Sequence, residues 1–144
     1  MDKNKAVSLI GAVIAIAFVC LTLAFFISKF LQERIRNNEA MAQQTLKTIS
    51  LALEKYAQDH EGRYPEDEKK LLSKQMGGEA DLPYLNRAYC GKTENGYTYN
   101  CEFTSTGYIL TARPLNCITL GTKSFTFISG RSLSQDDTCI PSGS

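Results

Sequence analysis

The chain has 144 residues, five cysteines and a formal net charge of +1. That length accommodates one membrane segment and one small domain. With Asp2, Lys3, Lys5 and Lys29 set aside, residues 30–144 carry 13 Lys and Arg against 14 Asp and Glu, which argues against nucleic-acid binding through a broad basic surface.

Met1 to Ala6 is a short polar leader carrying Lys3 and Lys5. From Val7 to Ser28 there is no charged residue and no proline. A helix over this run is about 33 Å long, enough to cross a hydrocarbon core of about 30 Å. The run gives way to Ser28, Lys29, Phe30 and Leu31 without a small-residue cleavage signal, so it is expected to be kept. Leu31 to Gln58 has neither Gly nor Pro and is rich in Ala, Leu, Glu, Gln and Lys, so the helix is expected to continue to about Asp59. Leu46, Ile49, Leu53 and Tyr56 recur at helical spacing, which puts them on one face and makes them the expected helix–sheet core. Gly62 and Tyr64-Pro65 end the helix. A second helix is expected over Glu66 to Met76, with Leu71, Leu72 and Met76 inward, Asp67 to Lys70 in water, and Gly77-Gly78 as its stop.

Three strands follow. Tyr97, Tyr99, Cys101 and Phe103 alternate with Thr98, Asn100 and Glu102, the period of a half-buried strand. Thr104 to Gly107 reads as a hairpin turn, after which Tyr108, Leu110 and Ala112 share a side before Pro114. Lys123 to Ser129 sends Phe125 and Phe127 to one face. Three antiparallel strands with one apolar face need a cover, and the helical stripe supplies it. The expected fold class is α+β: a long N-terminal helix, half transmembrane and half amphipathic, packed on a small antiparallel sheet of about three strands.

Cys20 lies in the apolar run, whereas Cys90, Cys101, Cys117 and Cys139 lie in the C-terminal half without C-x-x-C spacing. They read as disulfide formers in an oxidising compartment, which leaves the leader in the cytoplasm. Four cysteines allow three pairings. Cys90 with Cys101 and Cys117 with Cys139 is favoured because each closes a local loop, and each bridge contributes about 3 kcal/mol on a chain-entropy estimate.

The segment Lys5-Ala6-Val7-Ser8-Leu9-Ile10-Gly11 resembles the processing site of type IV pilins and type II secretion pseudopilins, where a short basic leader ends in Gly before Phe-Thr-Leu-Ile-Glu. Leu46 to Leu72, with Gly62-Arg63-Tyr64-Pro65, is similar to the end of a pseudopilin's long helix and the loop after it. The likeness covers the first half of the chain in sequence and the second half in layout. Here Ala6 stands at the Gly before the scissile bond, Gly11 at the glutamate, and Ser28 near a helix-kinking proline. The resemblance implies a leader over residues 1–6, a transmembrane and filament-core helix over 7–29, and a periplasmic or extracellular domain over 30–144. It implies a prepilin peptidase cutting between Ala6 and Val7, methylation of the new amine, and an inner-membrane assembly platform as partner. Other partners are copies of this chain or other pilin-like subunits. The Cys117–Cys139 pairing resembles the disulfide-closed tail loop of many pilins.

In that family the glutamate is thought to meet the N-terminal amine of a neighbouring subunit, and a buried charge stripped of its partner costs about 3 to 5 kcal/mol. This chain brings an amine and no carboxylate, as a minor subunit at a filament end would. Alternatively Gly11, with Ala12, Ala15 and Ala17, is a smooth flank for close helix packing.

Enzyme chemistry finds little footing. His60, the single histidine, reads as a helix-end or surface residue, and no triad, phosphate loop or metal-ligand spacing is present. Asp136-Asp137 is too small a set for a calcium shell of about six to eight oxygens, and it reads as a solvated turn. No metal, cofactor or nucleic acid is expected. The functional classes are a filament subunit, assembled through the apolar helix after cleavage, or a single-pass anchored accessory or minor subunit. A tip adhesin or DNA-uptake protein would need a patch, and Arg87, Tyr89 and Lys92 are scattered in the sequence.

Overall fold

The computed structural model describes residues 3–72, 83–139 and 141–142. Helix α1 (Lys3–Asp59) runs through the apolar and amphipathic segments without a break. Its stop is written in the backbone: Glu61 and Gly62 take positive φ (57° and 81°), and Gly62 N–H donates to Ala57 O at 2.8 Å. The chain separates into two compact units, Met1–Arg34 and Ile35–Ser144.

Within the second unit, α1 covers an antiparallel meander of five strands in chain order. They are β1 (Thr93–Glu94), β2 (Tyr97–Thr104), β3 (Gly107–Pro114), β4 (Ser124–Ile128) and β5 (Ser134–Asp136). The expectation of about three strands is corrected to five. β1 has two residues and β5 three, both largely exposed, so neither carries an apolar alternation that a pattern can register. Asn95-Gly96 is nonetheless a hairpin signal: both residues have positive φ (51° and 77°), as a two-residue turn with the right-handed twist requires, and Glu94 pairs with Tyr97 across it.

Each central strand buries alternate residues toward α1. Tyr97 and Tyr99 on β2, Leu110 and Ala112 on β3, and Phe125 on β4 have no exposed surface, and they meet Leu46, Ile49 and Leu53, also fully buried. The opposite face carries Asn100, Thr111, Thr126 and Ser134 in one continuous cross-strand row. Small α1 residues let the sheet approach: Ala42 is fully buried, and Thr45, Ser50, Ala52 and Ala57 nearly so. Tyr56, the last of the expected stripe, is only partly buried. Its ring stacks on His60 (centroids 3.8 Å apart) and meets the edge of Tyr84 at 5.4 Å.

Among the described residues the second helix is the single turn α2 (Lys69–Leu72), which buries Leu71 and leaves Leu72 half-buried. Met76 and Gly77-Gly78 lie outside the described residues. The reading of Asp67 to Lys70 as solvated is corrected at Glu68, which is 6 % exposed. Its carboxylate accepts the N–H groups of Tyr89 (2.6 Å) and Cys90 (3.1 Å). Residues 85–90 belong to no strand, and these two donors find their partner in a side chain.

Candidate functional site

The feature without an internal explanation is the apolar part of α1. One helix among the described residues is long and apolar enough to cross a membrane; its most apolar window has mean hydropathy 2.8 and is 0 % buried. Phe18 is 69 % exposed, Leu21 71 % and Phe26 69 %. A contiguous apolar surface of this length is a membrane or association surface, because water would oppose it at every turn. Its polar side chains are absorbed locally: Thr22 donates to Val19 O (2.8 Å) and Ser28 to Ala24 O (3.0 Å), so neither hydroxyl needs water. At its end Lys29 lies over the Phe25 ring, 5.7 Å from the centroid.

Ala6 and Val7 are helical in backbone. Gly11 leaves open space where a side chain would stand. On a helix turning about 100° per residue, Ala15 lies about 40° from Gly11 and Ala12 about 100°, so these share a flank. Ala17 falls about 240° round and does not join them; it faces the side that carries Cys20 and Ala24. Ser28 passes without interrupting α1.

Within the second unit, α1 is fastened to the sheet by side chains as well as by its core. Asn38 Nδ2 donates to Leu120 O at 2.9 Å, and Glu39 accepts Thr122 N–H (2.9 Å) and its hydroxyl (2.7 Å). Tyr108 Oη bonds Ser50 Oγ and donates to Glu54, which also accepts the Tyr64 hydroxyl. Burial, and then Glu54, raise the Tyr64 phenol above its ordinary value. Burial raises Tyr97 and Tyr108 further.

His60 Nδ1 donates to Tyr56 O at 2.8 Å, tying the ring to the end of α1. Beside it Tyr84 donates to Asp59 at 2.8 Å, and its phenol is pushed up to about 12 by burial first and by the Asp59 carboxylate second. Tyr56, His60, Arg63, Tyr64 and Lys70 line an open cleft of about 590 Å³ here. Its two cations each lie near an acid, Arg63 near Glu61 (3.5 Å) and Lys70 near Glu66 (3.6 Å), while Asp59, the third acid of the lining, accepts the Tyr84 hydroxyl.

Disulfides join Cys90 to Cys101 and Cys117 to Cys139, with Cα atoms 5.5 and 5.7 Å apart, and Cys20 is free. Arg87, Tyr89 and Lys92, scattered in the sequence, line one shallow cleft of about 270 Å³ with Glu94. Arg87 stacks on Tyr89 (4.9 Å) and donates to Glu94 (2.7 Å), so its charge is already answered. Asp136 is the last residue of β5, and its carboxylate accepts the N–H and hydroxyl of Thr138; Asp137 lies 3.8 Å from Lys123 Nζ. Among the described residues no three of His, Cys, Asp or Glu gather as a metal-ligand group.

Sequence reasoning missed Asn38, Glu39, Glu54 and Glu68, the side chains that bind loops and strands to the helices. Their one signal was position: Glu54 follows Leu53 on the edge of the buried stripe, and Asn38 and Glu39 precede Ala42 by one turn. Set against protein-family models, curated proteins and solved structures, the chain matches none.

Proposed function

We propose that this chain is a structural subunit of a type IV pilus-like or type II secretion pseudopilus-like filament. It waits in the inner membrane with the Ile35–Ser144 unit in the periplasm, and it assembles through the apolar half of α1 after its leader is cut. The observation that carries the reading is that α1 is one helix with two chemistries: exposed apolar side chains from Leu9 to Ile27, and a buried stripe at Leu46, Ile49 and Leu53 that closes a disulfide-bearing sheet. The likeness of Lys5 to Gly11 and of Leu46 to Leu72 to pilin-like sequences supports it. The fold is then pilin-like, and the partners are other copies or other pilin-like subunits, the prepilin peptidase and the assembly platform.

The test is mass spectrometry of the N-terminus of the native protein. A chain beginning at methylated Val7 is expected; an uncut Met1 terminus throughout the native protein would sink the reading and leave a single-pass anchored accessory protein. Gly11→Glu then separates two places in the filament. A minor subunit that accepts a neighbour's carboxylate becomes able to donate one, giving longer or richer filaments. A homopolymer packed through Gly11, Ala12 and Ala15 loses its filaments, because an unpaired acid is costly in an apolar helix bundle.

A further inference from the structure

Lys47, Leu51 and Lys55 step by four along α1, which keeps them within about 80° of one another on its solvent face. Leu51 is 61 % exposed, both lysines are exposed, and neither lysine has an ion-pair partner among the described residues. The carboxylates nearest them on the helix are engaged, Glu54 by the Tyr64 and Tyr108 hydroxyls and Asp59 by Tyr84. On the outer face of the sheet, Glu102, Ile109 and Ile128 stand side by side across β2, β3 and β4. Glu102 and Ile109 are exposed, and Glu102 has no cation partner among the described residues. The Ile35–Ser144 unit thus carries an apolar side chain between two unanswered cations on one surface, and an apolar pair beside an unanswered acid on the opposite one.

The two surfaces lie back to back at the same level. Tyr108, next to Ile109, bonds Ser50 and Glu54, which flank Leu51 in the chain. At the other end Asn38 lies against Gly96, beside the Tyr97 and Pro114 pair. From Asn38 to Ser50 α1 rises about 18 Å, and from Pro114 to Tyr108 β3 spans about 20 Å, so the two run antiparallel and nearly in line. Ile109 and Glu102 are therefore level with Leu51, between Lys47 and Lys55. Arg113, exposed on the same sheet face, is four residues along β3, about 13 Å away, level with the uncharged Ala40 and Met41. Beside Ile109 the sheet presents only the small polar row of Asn100, Thr111 and Thr126, flat enough to receive a helix. We propose that the solvent face of α1 at Leu51 is the docking surface for a second copy of this chain, whose outer sheet face seats Ile109 on Leu51 and Glu102 between Lys47 and Lys55. Each copy uses two different surfaces on opposite sides, so the contact does not close on itself and repeats as an open stack. This deepens the filament reading and rests on it.

Cys20, the free cysteine, is replaced by serine, and the full chain is expressed in two tagged forms, one with Leu51→Cys and the other with Ile109→Cys. Both positions are exposed, and labelling without reductant, which should find one thiol per chain, verifies that the native disulfides have formed. A short bismaleimide is expected to join the two forms to each other, to join neither form to itself, and to give a ladder from a chain carrying both substitutions. Glu102→Lys beside Ile109→Cys should cut the yield, and Lys47→Glu with Lys55→Glu beside Leu51→Cys should restore it. Leu51→Cys chains that join one another as strongly as they join the Ile109→Cys form overturn the proposal in favour of a helix-to-helix pair. No product from the mixed forms, while a lysine-reactive cross-linker still gives multimers of the parent, overturns the contact and leaves assembly from copies standing. No multimers with either reagent removes that assembly, and the contact with it.

Discussion

Tyr108 on β3 and Glu54 on α1, far apart in the chain, meet through a hydrogen bond of 2.8 Å from the phenol to the carboxylate. The same phenol bonds Ser50 Oγ at 2.8 Å. Tyr99, on β2, offers the contrast: its hydroxyl is buried and makes no bond of good geometry, with the Thr45 hydroxyl as its polar neighbour. Tyr108→Phe is therefore expected to destabilise the folded unit by about 1 to 3 kcal/mol, whereas Tyr99→Phe should be neutral or stabilising. Denaturant unfolding of both variants with disulfides intact checks this; equal losses would mean that the helix-to-sheet network carries no special weight.

Gly121 is a packing glycine. A Cβ there would stand 2.6 Å from Cζ of Tyr97, whose ring is buried and whose hydroxyl donates to Lys123 O at 2.9 Å. The ring has no room to retreat, so Gly121→Ala should cost about 1 to 3 kcal/mol through overpacking. Pairing it with Tyr97→Phe, which removes the nearest clashing atom, should recover part of the loss. A melting temperature unchanged in Gly121→Ala would show that the loop moves aside freely.

Thiol chemistry separates Cys20 from the other four. Labelling of denatured, unreduced protein should modify one cysteine, and reduction first should expose five. Each bridge should contribute about 3 kcal/mol on a chain-entropy estimate. Four or five labels without reductant would mean that the native protein is reduced and that its compartment is not oxidising.

Alkaline titration reads the tyrosines. The unfolded chain releases a phenolic proton near the ordinary value of 10.0, while folded Tyr84 holds its proton to about 12 and burial holds Tyr97 and Tyr108 longer. Above pH 10 the unfolded state therefore binds fewer protons than the folded one, and stability falls as pH rises; below it these groups give no slope. The tyrosinate absorbance that Tyr84, Tyr97 and Tyr108 contribute should appear together with the loss of circular dichroism, well above pH 10. Tyr84, Tyr97 and Tyr108 ionising near 10 with the fold intact would contradict their burial.

The apolar run was legible in full because hydropathy alone defines it, and β2 and β3 because Tyr97, Tyr99, Tyr108 and Leu110 keep strict alternation. Tyr56 has the right helical phase, yet it falls beyond the main aromatic core, where Tyr84 and His60 shield it only in part. β5 was invisible for a different reason: Ser134, Gln135 and Asp136 pair by backbone alone, and backbone pairing leaves no trace in side-chain pattern. Glu68 shows the limit most clearly. A carboxylate amid Asp67, Lys69 and Lys70 looks solvated until the fold brings the N–H groups of Tyr89 and Cys90 to it.

The strand order of the sheet is also its order of synthesis. Every pairing joins chain neighbours, so each hairpin can close as soon as it exists, in roughly microseconds. The stripe at Leu46, Ile49 and Leu53 has no such neighbour and stays bare until the strand bearing Tyr97 has been made. At about 5 to 20 residues per second that wait lasts roughly two to nine seconds. During it the nascent chain displays a wet apolar helix face directly behind a membrane-seeking one, and the hazard is greatest there: a chaperone or the bilayer surface must shield that face, or neighbouring nascent chains will.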